Sequence, residues 1–173
     1  PLIIVYIEGR TLLMNNASEK ADALLTAWYP GEQGGKAIAS ILFGDANPSG
    51  RLPVSIPRSV GQLPVYYSAG KQRDYMDFPS EPLYPFGYGL SYTTFEYSGL
   101  KIEKLSSSAV GKTSDNGLMM DASPAVAKVT VNVKNTGSRD GSEVVQLYVH
   151  DRAASVAQPP LQLRAFEKIS LKA

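Results

Sequence analysis

The sequence predicts an α/β segment joined by an extended connector to an all-β sandwich, and three observations set that order. Residues 2–7 and 23–28 are apolar runs, each followed by a helical signal, which is the strand–helix alternation of a parallel sheet. Prolines at positions 48, 53, 57, 64, 79, 82 and 85 leave no room for a long helix or a central strand in residues 47–89. Beyond Ser91 the apolar period becomes two.

Taken in order, residues 2–7 read LIIVYI, a continuous β-branched run of the kind that forms a strand covered on both faces, and Gly9 ends it. Ser18 with Glu19 and Lys20 starts a short helix, after which residues 23–28 form a second buried strand that Pro30 and Gly31 stop. Gly34 and Gly35 open a helix in which Ala37, Ile38, Ile41 and Leu42 share one face, and Gly44 stands where a helix C-terminal glycine belongs. The connector carries Tyr66, Tyr67, Tyr75, Phe78, Tyr84, Phe86 and Tyr88, too many rings for a free linker, so it is expected to lie packed along a surface.

In the last segment Val129, Val131 and Val133 alternate with polar residues, as do Val145, Leu147 and Val149. The turn cluster at 135–141 between them predicts two adjacent antiparallel strands. Residues 161–171 add one more strand, bent near Ala165, and the Ser, Gly and Lys rich residues 106–124 read as a mobile loop between the first two strands of the sandwich.

The 173 residues are 43% hydrophobic with a net charge of +1 from scattered acids and bases, so no basic footprint marks nucleic acid or an anionic membrane as a partner. Residues 2–7 are too short to insert in a bilayer or to form a signal-peptide core. With no cysteine there is no disulfide or thiol metal site. His150, the single histidine, falls on the exposed phase of its strand and cannot build a histidine zinc site, so no metal and no cofactor is expected.

Glu8 stands at the C-terminal end of the first strand, where open α/β sheets place ligand crevices; the alternative is pairing with Arg10 or a neighbouring loop. GEQGG at 31–35 precedes a helix but lacks the Gly-Lys-Ser/Thr ending of a phosphate loop. Glu19, Asp22, Glu103, Glu143 and Glu167 occupy polar positions of surface elements and read as solvated charges.

WYPGEQGG at 28–35, ILFGDANPSGRLPVSIP at 41–57 and YPFGYGLSYTTF at 84–95 closely resemble the C-terminal part of glycoside hydrolase family 3, which holds β-glucosidases, β-xylosidases and related exo-acting enzymes. VNVKNTG at 131–137, VVQLYVHD at 144–151 and LRAFEK at 163–168 resemble the fibronectin type III-like, immunoglobulin-like domain that ends many members. The resemblance implies that residues 1–58 are the end of a three-layer α/β sandwich, 59–91 a connector and 92–173 a truncated fibronectin-like sandwich. It departs from the family in the long 106–124 segment and in a stop at Ala173 where the family continues for several strands.

It further implies a retaining β-glycosidase acting through two carboxyl groups roughly 5–5.5 Å apart. In the family these groups precede the part matched here, so no catalytic residue is assigned and the chain is expected to be an inactive piece of a longer polypeptide that meets its carbohydrate substrate through N-terminal domains. Trp28 and Tyr29 are candidate sugar-stacking rings, with a core role the alternative for Trp28. Tyr75 and Asp77, within RDYMD at 73–77, resemble a family loop that runs toward the crevice. A periplasmic or secreted bacterial location and self-association through unfinished sheets are expected. The competing reading is a non-catalytic carbohydrate-binding or protein-interaction module.

Overall fold

The computed structural model of the chain describes residues 1–70, 73–105 and 127–173. These are mostly strands with few helices. Strand β1 (Ile3–Tyr6) and β2 (Ala23–Thr26) pair in parallel with Ile3 opposite Ala23, as the alternation predicts. Helix α1 (Asn15–Lys20) joins them. It begins three residues earlier than expected, because buried Met14 fixes its start and the Ser18 hydroxyl donates back to the Asn15 carbonyl at 2.9 Å instead of capping. Helix α2 (Gly34–Leu42) follows, and Gly44, with φ 81°, ends it.

β1 is not covered on both faces. Leu2 and Ile3 are 48% and 47% exposed and Ile7 is 65% exposed, because the described residues lay no second layer over this two-stranded sheet. For the same reason the apolar stripe of α2 is only half-covered at Ile38 and Ile41 and exposed at Leu42.

The proline-rich connector closes on itself. Ile56 donates to the Tyr84 carbonyl and Leu83 to that of Ile56, both at 2.8 Å, while Leu52 and the 87–88 backbone exchange the same bonds, so 52–56 and 83–88 run antiparallel around the fully buried Ile56. Its rings pair face to face: Tyr67 with Phe86 at 4.4 Å, Tyr75 with Phe78 at 4.5 Å and Tyr84 with Tyr88 at 5.2 Å. A 3-10 turn, Val60–Gln62, interrupts it.

Strands β3 (Phe95–Lys104), β4 (Ala127–Asn135), β5 (Gly141–Val149) and β6 (Gln162–Leu171) complete the described fold. β3 pairs with β4 and β5 with β6, both antiparallel, as two separate sheets. The turn at 135–140 therefore is not a hairpin between neighbouring strands. It is a corner that carries the chain from one sheet to the other, and the side chain of Asn135 builds it: its carbonyl oxygen accepts from the Thr93 hydroxyl at 2.6 Å and the Gly137 amide at 3.1 Å, while its amide donates to the Arg139 carbonyl at 2.7 Å. A buried side-chain amide so placed satisfies backbone groups that a hairpin ladder would otherwise take.

The period-two valines face the other sheet, with Val129, Val131 and Val133 across a cavity of about 690 Å³ from Val145 and Leu147. Two bulges shape the strands. Gly99, at φ 62°, and Leu100 stand opposite Val131, and Arg164 is the extra residue where Leu147 pairs with Ala165 and Tyr148 with Leu163, which is the bend expected near Ala165. The loop reading of 106–124 lies outside the described residues.

Asn47 fastens the parts together. Its amide donates to the Asp140 carbonyl at 3.0 Å and its oxygen accepts from the Ser91 hydroxyl and the Tyr92 amide, both at 2.9 Å. Tyr92 reaches back to the Ile41 carbonyl at 2.8 Å, with the Arg139 guanidinium 5.9 Å from its ring. No helix of the described residues is long and apolar enough to cross a membrane, and no group of metal-ligating side chains gathers among them.

Candidate functional site

The parallel ladder runs past the ends of β1 and β2: Ala27 donates to the Tyr6 carbonyl at 2.8 Å and Glu8 to the Trp28 carbonyl at 3.2 Å. That bond sets Glu8 and Trp28 side by side at the C-terminal crest of the sheet. Glu8 is 6% exposed, and neither carboxylate oxygen has a partner of normal hydrogen-bonding geometry. Burial raises its pKa, and the Leu12 amide and Thr26 hydroxyl offset only part of that. No ion pair joins Glu8 to Arg10 among the described residues.

Trp28 has φ 50°, a left-handed backbone that strains a bulky residue by about 1–3 kcal/mol and recurs at functional sites. The twist turns the chain so that Tyr29, 81% exposed, lies over Gly9, where a Cβ would run into its ring. Glu8, Trp28 and Tyr29 thus form one cluster: a buried carboxyl, a half-buried indole and an open phenol. Chemically it offers a carboxyl group beside aromatic faces.

Tyr75 and Asp77 stand apart from it. They belong to a tight turn in which the Tyr75 amide donates to the Phe78 carbonyl at 3.0 Å and Asp77 is exposed. No hydrogen bond, ion pair or ring contact among the described residues links them to Glu8, Trp28 or Tyr29. His150 is exposed as expected, with its Nδ1 against the Pro160 carbonyl.

A second polar cluster lies between the connector and the sandwich strands. Glu143, read from the sequence as a solvated surface charge, is 7% exposed and forms an ion pair with Arg51. Its other oxygen accepts from the Tyr97 hydroxyl at 2.8 Å. Burial, the bond to Glu143 and that residue's negative charge push the Tyr97 pKa up to about 12. The expectation failed because Glu143 shares the inward phase of Val145 and Leu147, where Arg51 of the connector and Tyr97 of β3 cover it.

The profile of the glycosyl hydrolase family 3 C-terminal domain matches residues 1–92, which include the crest, α2 and the whole connector. The chain belongs to that family. A fibronectin type III-like profile matches residues 143–173, the β5–β6 sheet.

Within family 3 the chain is 44% identical to a periplasmic β-glucosidase of Salmonella typhimurium, covering 99% of this chain and 22% of that protein. It is 44% identical to a putative β-xylosidase of Formosa agariphila, with 99% and 21% covered. Its fold superposes on a β-glucosidase from Erythrobacter marinus with a TM-score of 0.82 at 48% identity, covering 98% of this chain and 21% of the other. A β-glucosidase from Listeria innocua in complex with isofagomine gives 0.83 at 36% identity, with 100% and 24% covered. The chain therefore spans about a fifth to a quarter of the family 3 proteins it matches.

The family 3 motifs mark the crest residues in the sequence, since Trp28 opens the WYPGEQGG run. Arg51 also lies in a family 3 motif, yet nothing local pairs it with a residue 92 positions away.

Proposed function

We propose that these residues are the C-terminal part of an exo-acting retaining β-glycosidase, of β-glucosidase or β-xylosidase type, that removes terminal β-linked sugars through a covalent glycosyl-enzyme intermediate. The observation that carries this reading is family membership over residues 1–92 together with relatives named β-glucosidase and β-xylosidase that match nearly the whole chain. The catalytic carboxyl groups are assigned to residues outside the 173 present, which would make this chain inactive by itself. Residues 1–58 are taken as part of an α/β sandwich domain, 59–91 as the connector and 92–173 as part of a fibronectin-like domain.

In this reading Glu8, Trp28 and Tyr29 face the substrate-bearing side, because ligand crevices of open α/β sheets open at the C-terminal ends of their strands. Tyr75 and Asp77 contribute at the periphery. The carbohydrate is gripped mainly by the portions of the enzyme that lie outside this chain. A location outside the cytoplasm is supported by the periplasmic relative.

The test is an assay of the purified chain and of the encoding open reading frame's full product on aryl β-glucoside and aryl β-xyloside. Turnover by the full product and none by the 173 residues is expected. Turnover by the chain alone that survives removal of contaminating enzyme overturns the assignment, and so does a full product inert on both substrates. In the full product, Trp28→Ala should raise KM more than it lowers kcat, since a stacking ring binds ground and transition states alike.

A further inference from the structure

A cavity of about 860 Å³ opens between the connector and β5, with Arg51, Tyr66, Tyr67, Phe86, Glu143 and Tyr148 in its wall. Its volume falls in the range of small-molecule sites, roughly 300–1,000 Å³. The wall combines ring faces with a few fixed polar groups. Tyr67 stacks on Phe86 at 4.4 Å, Tyr148 meets Tyr67 edge-on at 6.3 Å, and Tyr66 is 68% exposed.

Electrostatics select the ligand class. The charge of Arg51 is cancelled by Glu143, and the remaining charged residue of the wall, Glu81, repels an anionic ligand. One group is left over: Nη1 of Arg51 is buried and has no hydrogen-bond partner, which makes it a donor seeking an acceptor. Beside it Gln146 is occupied, donating to the Gly87 carbonyl at 3.1 Å and accepting from the Tyr148 hydroxyl at 2.6 Å. The complement is an uncharged molecule with apolar C–H faces for the rings and hydroxyl oxygens for the guanidinium.

We propose that this cavity binds a neutral oligosaccharide, a pyranose face resting on Tyr66 and Tyr67 and a hydroxyl oxygen accepting from Arg51 Nη1. The choice of a sugar among uncharged ligands rests on the glycosidase reading above, whereas the cavity, its rings and its charge balance do not.

Isothermal titration of the 173-residue chain with cellotetraose and with xylotetraose tests it, alongside Tyr66→Ala and, as a control on an exposed ring outside the cavity wall, Phe43→Ala. Both residues are exposed, so neither change removes core packing. Saturable binding of one tetrasaccharide is expected, weakened about tenfold by Tyr66→Ala and unchanged by Phe43→Ala. Transferred ring-proton shifts should fall on Tyr66 and Tyr67. The proposal is overturned by the absence of saturable binding to both sugars, by binding indifferent to Tyr66→Ala, or by tighter binding of a uronic-acid tetrasaccharide than of the neutral ones. Because these readings are of binding to this chain and the hydrolysis assay reads turnover by the full product, either can fail while the other holds.

Discussion

Arg51 and Glu143, 92 positions apart, meet in an ion pair whose side chains keep only 14% and 10% of their exposure. The same carboxylate accepts from Tyr97. One glutamate on β5 therefore holds the connector through Arg51 and the opposite sheet through Tyr97.

Removing one member of that pair should be far worse than removing both. Glu143→Ala strands a guanidinium in a desolvated place and is expected to cost about 3 kcal/mol, while Arg51→Met with Glu143→Leu should come within about 1 kcal/mol of the parent. Urea unfolding of the two single variants and the double reads this directly. Additive losses would show that the pair is not coupled.

Tyr97 predicts an alkaline weakness. Its folded pKa of about 12 stands above the ordinary 10.0, so the folded state holds a proton that the unfolded state gives up. Stability from this group is whole below pH 10 and declines as pH rises from 10 toward 12. Tyr97→Phe should lose some stability at neutral pH but show a flatter melting temperature across that alkaline window. Equal slopes for parent and variant would remove Tyr97 from the account.

Glu8 acts in a lower window. Burial raises its folded pKa above 4.5, so the folded state binds its proton more tightly. The group's contribution is best in acid, below its unfolded pKa, and worsens as pH climbs through the window between the unfolded and raised folded values. Glu8→Gln should therefore raise the melting temperature at pH 7 more than at pH 4. A melting-temperature difference that is the same at both values, or of opposite sign at pH 7, would contradict the unpartnered carboxyl.

The facing sheets should bind hydrophobic dye. Leu100, Ile102 and Phe166 are 65%, 68% and 70% exposed, and among the described residues each sheet has two strands. The isolated chain is expected to brighten ANS and to self-associate in sedimentation, and Leu100→Lys with Ile102→Lys should reduce both. A monodisperse, dye-silent parent with a sharp thermal transition would instead favour an independent module.

The sequence by itself determined the elements whose causes are local. Continuous β-branched residues made β1 parallel-sheet material, prolines kept 47–89 free of long elements, Gly44 ended α2, and alternation marked β4 and β5. It also carried the family, because the motifs at 28–35, 41–57 and 84–95 are contiguous. Tertiary structure alone decided which strands pair. Residues 135–141 have the composition of a hairpin turn, and only the long-range bond from Thr93 to Asn135 makes them a corner between sheets. Burial was decided the same way: Glu143 and Glu8 became buried carboxyls, and the apolar β1 remained half open, because exposure depends on what other segments lie across a residue. Periodicity records the face a side chain takes within its own element, and it holds no record of the partner that covers that face.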